Sequence, residues 1–260
     1  MIKRALVDGD ILVYRVGFSC QTKGVVVDPL DIAYQRIDVL MDKIMDFTKA
    51  TDYTIYLSGE DNFRLEFNPE YKANRDPTAK PEYYSDLKNY LLERWKAVVT
   101  QGEEADDAMG IAQCQNEGTV ICTIDKDLRM IPGHHFNFVR DELGVEYVDP
   151  FEGIKSFYHQ LLTGDTVDNV IGLDRIGPRT ADKILRFCET EEEMFETVRE
   201  RYNNDERMLM NGICLWIRRK PGEIWKFPDI VRDNGPENNE KESAGEESED
   251  DSTFFSPSFG

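Results

Sequence analysis

Carboxylates in this sequence fall at a recurrent place, directly after each short apolar run. Asp8 closes the run Ala5-Leu-Val7. Glu60 and Asp61 follow Tyr53-Thr-Ile-Tyr-Leu57 and its Ser58-Gly59 stop. Asp125 and Asp127 follow Thr119-Val-Ile-Cys-Thr-Ile124. Two further groups join them: Glu104-Ala-Asp106-Asp107 at a helix start, and Asp165-Thr-Val-Asp168 near a helix end. Taken singly, each acid is ordinary, because the first turn of a helix favours negative charge through its dipole. As a set they are not. Three charges within residues 104–107 exceed what a dipole benefit of about 0.3–1 kcal/mol per charge calls for. Glu104 and Asp107 are spaced to share a helix face, and so are Asp165 and Asp168. Converging carboxylates repel one another unless cations neutralise them. A site built only from carboxylates selects hard cations such as Mg²⁺ or Mn²⁺. Two such ions suit phosphoryl transfer: one lowers the pKa of an attacking water, and the other stabilises the leaving oxygen. This chemistry does not name the substrate.

Cations cluster in two other segments. Arg64, Lys72, Arg75 and Lys80 follow the second apolar run. A helix begun at Tyr71 would put Tyr71 and Arg75 on one face with Lys72 beside them. That arrangement suits stacking on a base while the cations hold its phosphate, and equally a solvated helix with a core tyrosine. In the segment 170–185, Gly172 can end one helix and Gly177-Pro178 can open the next. Ile176, Ala181, Ile184 and Leu185 would hold the pair together. Free backbone N–H groups at this glycine-led helix start, with Arg175, Arg179 and Lys183, would bind phosphates without reading bases. An ordinary helical connection is the competing reading.

Strands at 4–8, 53–57, 97–100, 119–124, 136–139 and 145–148 must deliver these acids. Helices at about 28–49, 81–95, 104–115 and beyond 151 alternate with them. Ile37, Leu40, Met41, Ile44 and Phe47 recur at helical spacing in the first of these. The pattern predicts an α/β fold with a largely parallel sheet covered by helices over 1–150, where ligands bind beyond the carboxyl ends of the strands. A mostly helical region follows over 151–232, and then a disordered acidic tail over 233–260.

The chain has 260 residues, 40% of them hydrophobic, and a net charge of −20. Nine acids against one base in residues 233–260 account for −8 of it. Neutralising about nine metal-site acids would leave the remaining surface nearly balanced, so a local basic groove is compatible with the charge. Five scattered cysteines without a Cys-x-x-Cys pair argue for reduced thiols in a cytosol. The sequence has neither a secretory signal nor an apolar run long enough to span a membrane.

In this order the segments resemble the 5′-nuclease (flap endonuclease) superfamily, in particular bacteriophage 5′→3′ exonucleases and the 5′-nuclease domains of bacterial DNA polymerases. Six stretches carry the resemblance: Leu6-Val-Asp8-Gly, Phe63-Arg-Leu-Glu with Tyr71-Lys-Ala-Asn-Arg75, Gly102-Glu-Glu-Ala-Asp-Asp107, Thr123-Ile-Asp125-Lys-Asp127, Gly164-Asp165-Thr-Val-Asp168-Asn and Ile176-Gly-Pro-Arg-Thr-Ala181. The resemblance implies a PIN-like core and hydrolysis of DNA from 5′ ends or flaps in replication, repair or recombination. It places Asp8, Glu104, Asp106, Asp107 and Asp125 at a first Mg²⁺ or Mn²⁺ site, and Asp127, Asp165 and Asp168 at a second. Lys72 and Arg75 would contact the scissile phosphate, and Tyr71 would stack on the terminal nucleotide. Arg64, Lys80, Gly177, Arg179, Thr180 and Lys183 would bind DNA. A helix–three-turn–helix at about 165–188 would grip duplex and hold a K⁺ ion on backbone carbonyls. Residues 76–100 would form an arch, with Lys80, Lys88, Arg94 and Lys96 along a single-strand passage.

The resemblance further implies a monomer in the cytoplasm, that of a host cell if the chain is phage-encoded. One departure is plain: where the family carries an aspartate after the second strand, this sequence has Gly59, with Glu60 and Asp61 beyond it. The acidic tail, ending in Phe254-Phe255 and Phe259, reads either as a solubilising terminus or as a segment docking on another replication protein. A related RNase and a non-catalytic DNA-binding scaffold are the rival functions. A scaffold would have no use for so many mutually repelling acids, which repel DNA as well.

Overall fold

β1 (Arg4–Asp8) is buried on both faces from Ala5 onward, the mark of a strand at the middle of a covered parallel sheet. The computed structural model describes residues 1–76 and 78–229. After β1 come α1 (Gly9–Ser19), the ribbon β2 (Gln21–Thr22) and β3 (Val25–Val26), α2 (Leu30–Thr48), β4 (Asp52–Leu57), α3 (Arg64–Phe67), α4 (Tyr84–Arg94), β5 (Val98–Val99) and α5 (Ala105–Gln115). The second part holds β6 (Thr119–Cys122), β7 (Gly133–Phe136), β8 (Val145–Val148), α6 (Pro150–Thr163), the ribbon β9 (Gly164–Asp165) and β10 (Val170–Ile171), α7 (Pro178–Ile184), α8 (Glu191–Tyr202) and α9 (Asp205–Leu215).

The main sheet runs β5-β4-β1-β6-β7-β8, with every pair parallel except β7 and β8. The expected α/β architecture is thus present. Ala5 and Val7 of β1 share one buried cluster with Leu12 and Val16 of α1, Ile37, Met41 and Ile44 of α2, and Leu87 and Leu91 of α4. Leu6 alternates to the other face, and α5 packs along β1, β4 and β6. A parallel order with β1 at the centre sends the carboxyl ends of β1, β4 and β6 to one edge.

Met1–Pro228 form one compact unit, in which α6 packs on the 3₁₀ turn Asp127–Met130. The expected acidic tail lies outside the described residues. All five cysteines are free, and no described helix is long and apolar enough to cross a membrane.

Several local expectations are corrected. α1 was not anticipated. The strand expected at 136–139 lies at Gly133–Phe136. Residues 69–75 are successive turns rather than a helix, with Lys72 in the left-handed region at φ 57°. The segment before Gly172 is the β9–β10 ribbon, so the helical part of the expected 165–188 hairpin is α7 alone. The expected arch contains one helix, α4.

Candidate active site

Three short elements converge at the carboxyl edge of the sheet. Asp8 ends β1 and also caps α1, accepting a hydrogen bond from Ile11 N at 3.0 Å. Asp125 lies just past β6. One hydroxyl ties the two together: Thr123 Oγ1 donates to Asp8 Oδ2 at 2.7 Å and accepts from Asp125 N at 3.0 Å. Glu104 and Asp107 form a reciprocal capping box at the start of α5, which sets Asp106 between them. Ser58, after β4, locks the remaining edge. Its hydroxyl accepts from Ala105 N, its N–H donates to Asp10 at 2.9 Å, and its carbonyl accepts from Lys88 at 3.2 Å.

An open cavity of about 680 Å³ joins these groups. Asp8, Asp10, Glu60, Glu104, Asp106 and Asp125 line it, and so do Lys72, Arg75, Lys80 and Lys88. Tyr14 and Tyr84 complete it, their ring centroids 5.4 Å apart. Six acids and four cations therefore face one space that is open to a large ligand.

The acids are held against their own preference for water. Burial pushes the Asp8 carboxyl up to about 7, against the hydrogen bonds from Ile11 and Thr123, and the charges of Asp10 and Asp125 add to the rise. Asp106 is driven well above the carboxylate range by burial, then by Asp8, Asp125 and Glu104, with Lys72 opposing. Burial also raises Asp10. Asp127 is pushed up to about 7 by burial and by the neighbouring Asp125 and Asp165. This is the signature of carboxylates lacking enough positive charge. The all-oxygen donor set and its excess negative charge fit hard divalent cations. Among the described residues, no three of these side chains stand at the spacing of a preformed metal cage.

Other expected site residues lie elsewhere. Arg64 is 2% exposed and is turned into the protein. It donates to both Asp107 oxygens at 2.6 and 2.9 Å and to the Cys214 and Trp216 carbonyls. Asp107 is fully buried and also accepts from Arg218 N and Glu104 N, so its lone pairs are spent on the protein and not on a metal. Tyr71 is buried too, its hydroxyl between Asp168 Oδ2 and Glu104 Oε2, so its ring is not presented at the surface. Asp61 is exposed and off the cavity wall, whereas Glu60 lines it. Asp165 ends β9 and Asp168 lies in the turn before β10, both outside the cavity lining, with Asp165 linked to the acids through Asp127. Gly177, Arg179, Thr180 and Lys183 are exposed around α7. Pro178 lacks an N–H, and Thr180 and Ala181 donate theirs to the Gly177 carbonyl, so this helix start offers fewer donors than expected.

Residues 3–156 match the family model of the 5′–3′ exonuclease, N-terminal resolvase-like domain. This chain belongs to that family. Among curated relatives, it is 28% identical to flap endonuclease Xni of Shewanella sp. (strain ANA-3), over 76% of this chain and 80% of the relative. It is also 28% identical to DNA polymerase I of Bacillus caldotenax, over 76% of this chain but only 25% of that protein. The chain thus spans about a quarter or less of the DNA polymerase I sequences that it matches. A solved structure of the bacteriophage T5 5′-exonuclease with zinc ions superposes with a TM-score of 0.60 at 18% identity, over 82% of this chain and 89% of that one. That likeness shows the fold.

Against the family pattern, position 59 takes no side chain, since a Cβ there would lie 2.2 Å from the Thr100 carbonyl oxygen. Glu60 and Asp10 are the acids that face the cavity near it. Asp10, Tyr14, Ser58 and Tyr84 escaped the sequence reading. The Asp8-Gly-Asp10 spacing was the available signal for the first of them.

Proposed function

We propose that this chain is a metal-dependent 5′→3′ DNA nuclease that acts as an exonuclease and on 5′ flaps. The observation that carries the reading is the meeting of buried, charge-starved carboxylates and four cations in one open cavity at the carboxyl edge of the sheet. Asp8, Glu104, Asp106 and Asp125 would hold a Mg²⁺ or Mn²⁺ ion, with Glu60 and Asp10 near it. Asp127 and Asp165 would serve a second ion. When bound, such ions lower the pKa of water and stabilise a leaving alkoxide. Lys72 and Arg75 neutralise the oxygens of the scissile phosphate, and water adds across the phosphodiester. Lys80 and Lys88 draw the single strand in by charge. Arg179, Thr180 and Lys183 around α7 contact duplex phosphates without reading bases, with a K⁺ ion on the carbonyls of the same turn.

The chain would act as a monomer in a reducing cytoplasm, in keeping with its free thiols. Cleavage of 5′- and 3′-labelled duplex and 5′-flap DNA tests the function. Release from the 5′ side in Mg²⁺, none in EDTA and none by Asp125→Ala is expected. DNA bound but never cut in Mg²⁺ or Mn²⁺ would leave only a scaffold. The segment 233–260 would dock a replication partner. Its deletion should leave cleavage of naked DNA unchanged, and complete loss of activity would overturn that role.

A further inference from the structure

The two cations assigned to the scissile phosphate are already engaged. Lys72 Nζ donates to Glu104 Oε1 and lies 3.6 Å from Asp168 Oδ2. Arg75 Nη2 donates to Asp168 Oδ1 at 2.6 Å. Tyr71 Oη bridges the same two carboxylates. The backbone is clasped to match. Lys72, at φ 57°, donates its N–H to the Asp168 carbonyl at 2.9 Å. Asn74 reaches the Thr166 carbonyl, and Asn169 reaches the Glu70 carbonyl. A left-handed lysine is strained, and this clasp is what holds it there. Meanwhile the carboxylates stand apart from any common metal-ligand point.

We propose that Lys72 and Arg75 are exchangeable counter-ions. They neutralise Glu104 and Asp168 until divalent cations take over those charges, and then pass to the DNA phosphate. The inference rests on the nuclease reading above. It makes metal and DNA binding reciprocally coupled, because each ligand releases the groups that the other needs. Asp168 would then serve in turn as the partner of Arg75 and as an acid facing the incoming ion.

Binding of Mn²⁺ to the full chain without DNA, followed by electron paramagnetic resonance, tests the exchange. Lys72→Met and Arg75→Met are each expected to bind Mn²⁺ about fivefold or more tightly than the unaltered chain. Lys80→Met is the control. Its cation lines the same cavity but sits over the Tyr84 ring, 4.5 Å from the centroid, and its Mn²⁺ affinity should change less than about twofold. Thermal melting verifies that each variant is folded, and the half-exposed Arg75 keeps the test usable if Lys72→Met is not. Unchanged or weaker Mn²⁺ binding by both variants, or an equal gain in Lys80→Met, overturns the exchange. If the unaltered chain still cleaves DNA in that case, the nuclease reading stands; if it neither binds Mn²⁺ nor cleaves, both fall.

Discussion

Arg64→Ala is expected to destabilise the protein by about 3–5 kcal/mol, the usual cost of breaking a buried ion pair from one side. The substitution strands the fully buried Asp107 carboxylate. It also orphans the carbonyls of Cys214 and Trp216, which Arg64 binds at 2.8 and 2.6 Å. For a domain of this size such a loss lowers the melting temperature by roughly 10 °C or more. Lysine should not rescue it, because one ammonium cannot copy a planar fork that meets four oxygens at once. A variant that melts within about 2 °C of the unaltered chain while losing DNA affinity would restore Arg64 to the DNA surface.

Asp8→Asn should separate stability from activity. The Asp8 carboxyl lies near pKa 7 in the fold against 3.8 as an ordinary aspartate, chiefly through burial. A raised acid favours folding below its unfolded pKa, and that contribution is lost as pH climbs through the folded value. Metal-free protein should therefore melt progressively lower between about pH 4 and pH 8. Each pKa unit is worth about 1.4 kcal/mol, so the change is on the order of 4 kcal/mol. Asparagine keeps the acceptor for Ile11 N and a partner for Thr123 but carries no charge. The variant is expected to melt several degrees higher at pH 8 without metal, to lose most of the pH slope, and to cleave DNA about 10²- to 10³-fold more slowly, the scale seen when one group that stabilises reaction charge is removed. Equal melting curves at pH 8 would mean that Asp8 is not held against its ionisation.

What the sequence disclosed and what it hid divide along contact range. β1 and β8 were legible to the residue, and β4 and α5 nearly so, because apolar runs, Gly-Ser stops and a capping box are local signals. The acids at strand ends followed from the same signals, so Asp8, Glu104, Asp106 and Asp125 meet as expected. α1 was hidden because Asp8 both ends the strand and caps the helix, with no turn residues between them. Asp10 was lost with it. The burial of Arg64, Tyr71 and Asp107 was hidden for the opposite reason. Their partners lie at residues 104, 168 and 214–218, and no local pattern marks a basic or aromatic side chain for burial against carbonyls so far along the chain. Nor does sequence reveal a lysine in the left-handed region, so the turns at 69–75 read as a helix.

The reach of the Cys214–Arg218 segment back to Arg64 and Asp107 also sets an order of events during synthesis. The central strands can pair once β6 has left the ribosome, yet the start of α5 still lacks the backbone groups of residues 214, 216 and 218 that enclose its ion pair. A nascent chain stopped short of that segment would carry its acids on an unfinished support. The acidic edge would then be fully supported only after most of the chain had been translated.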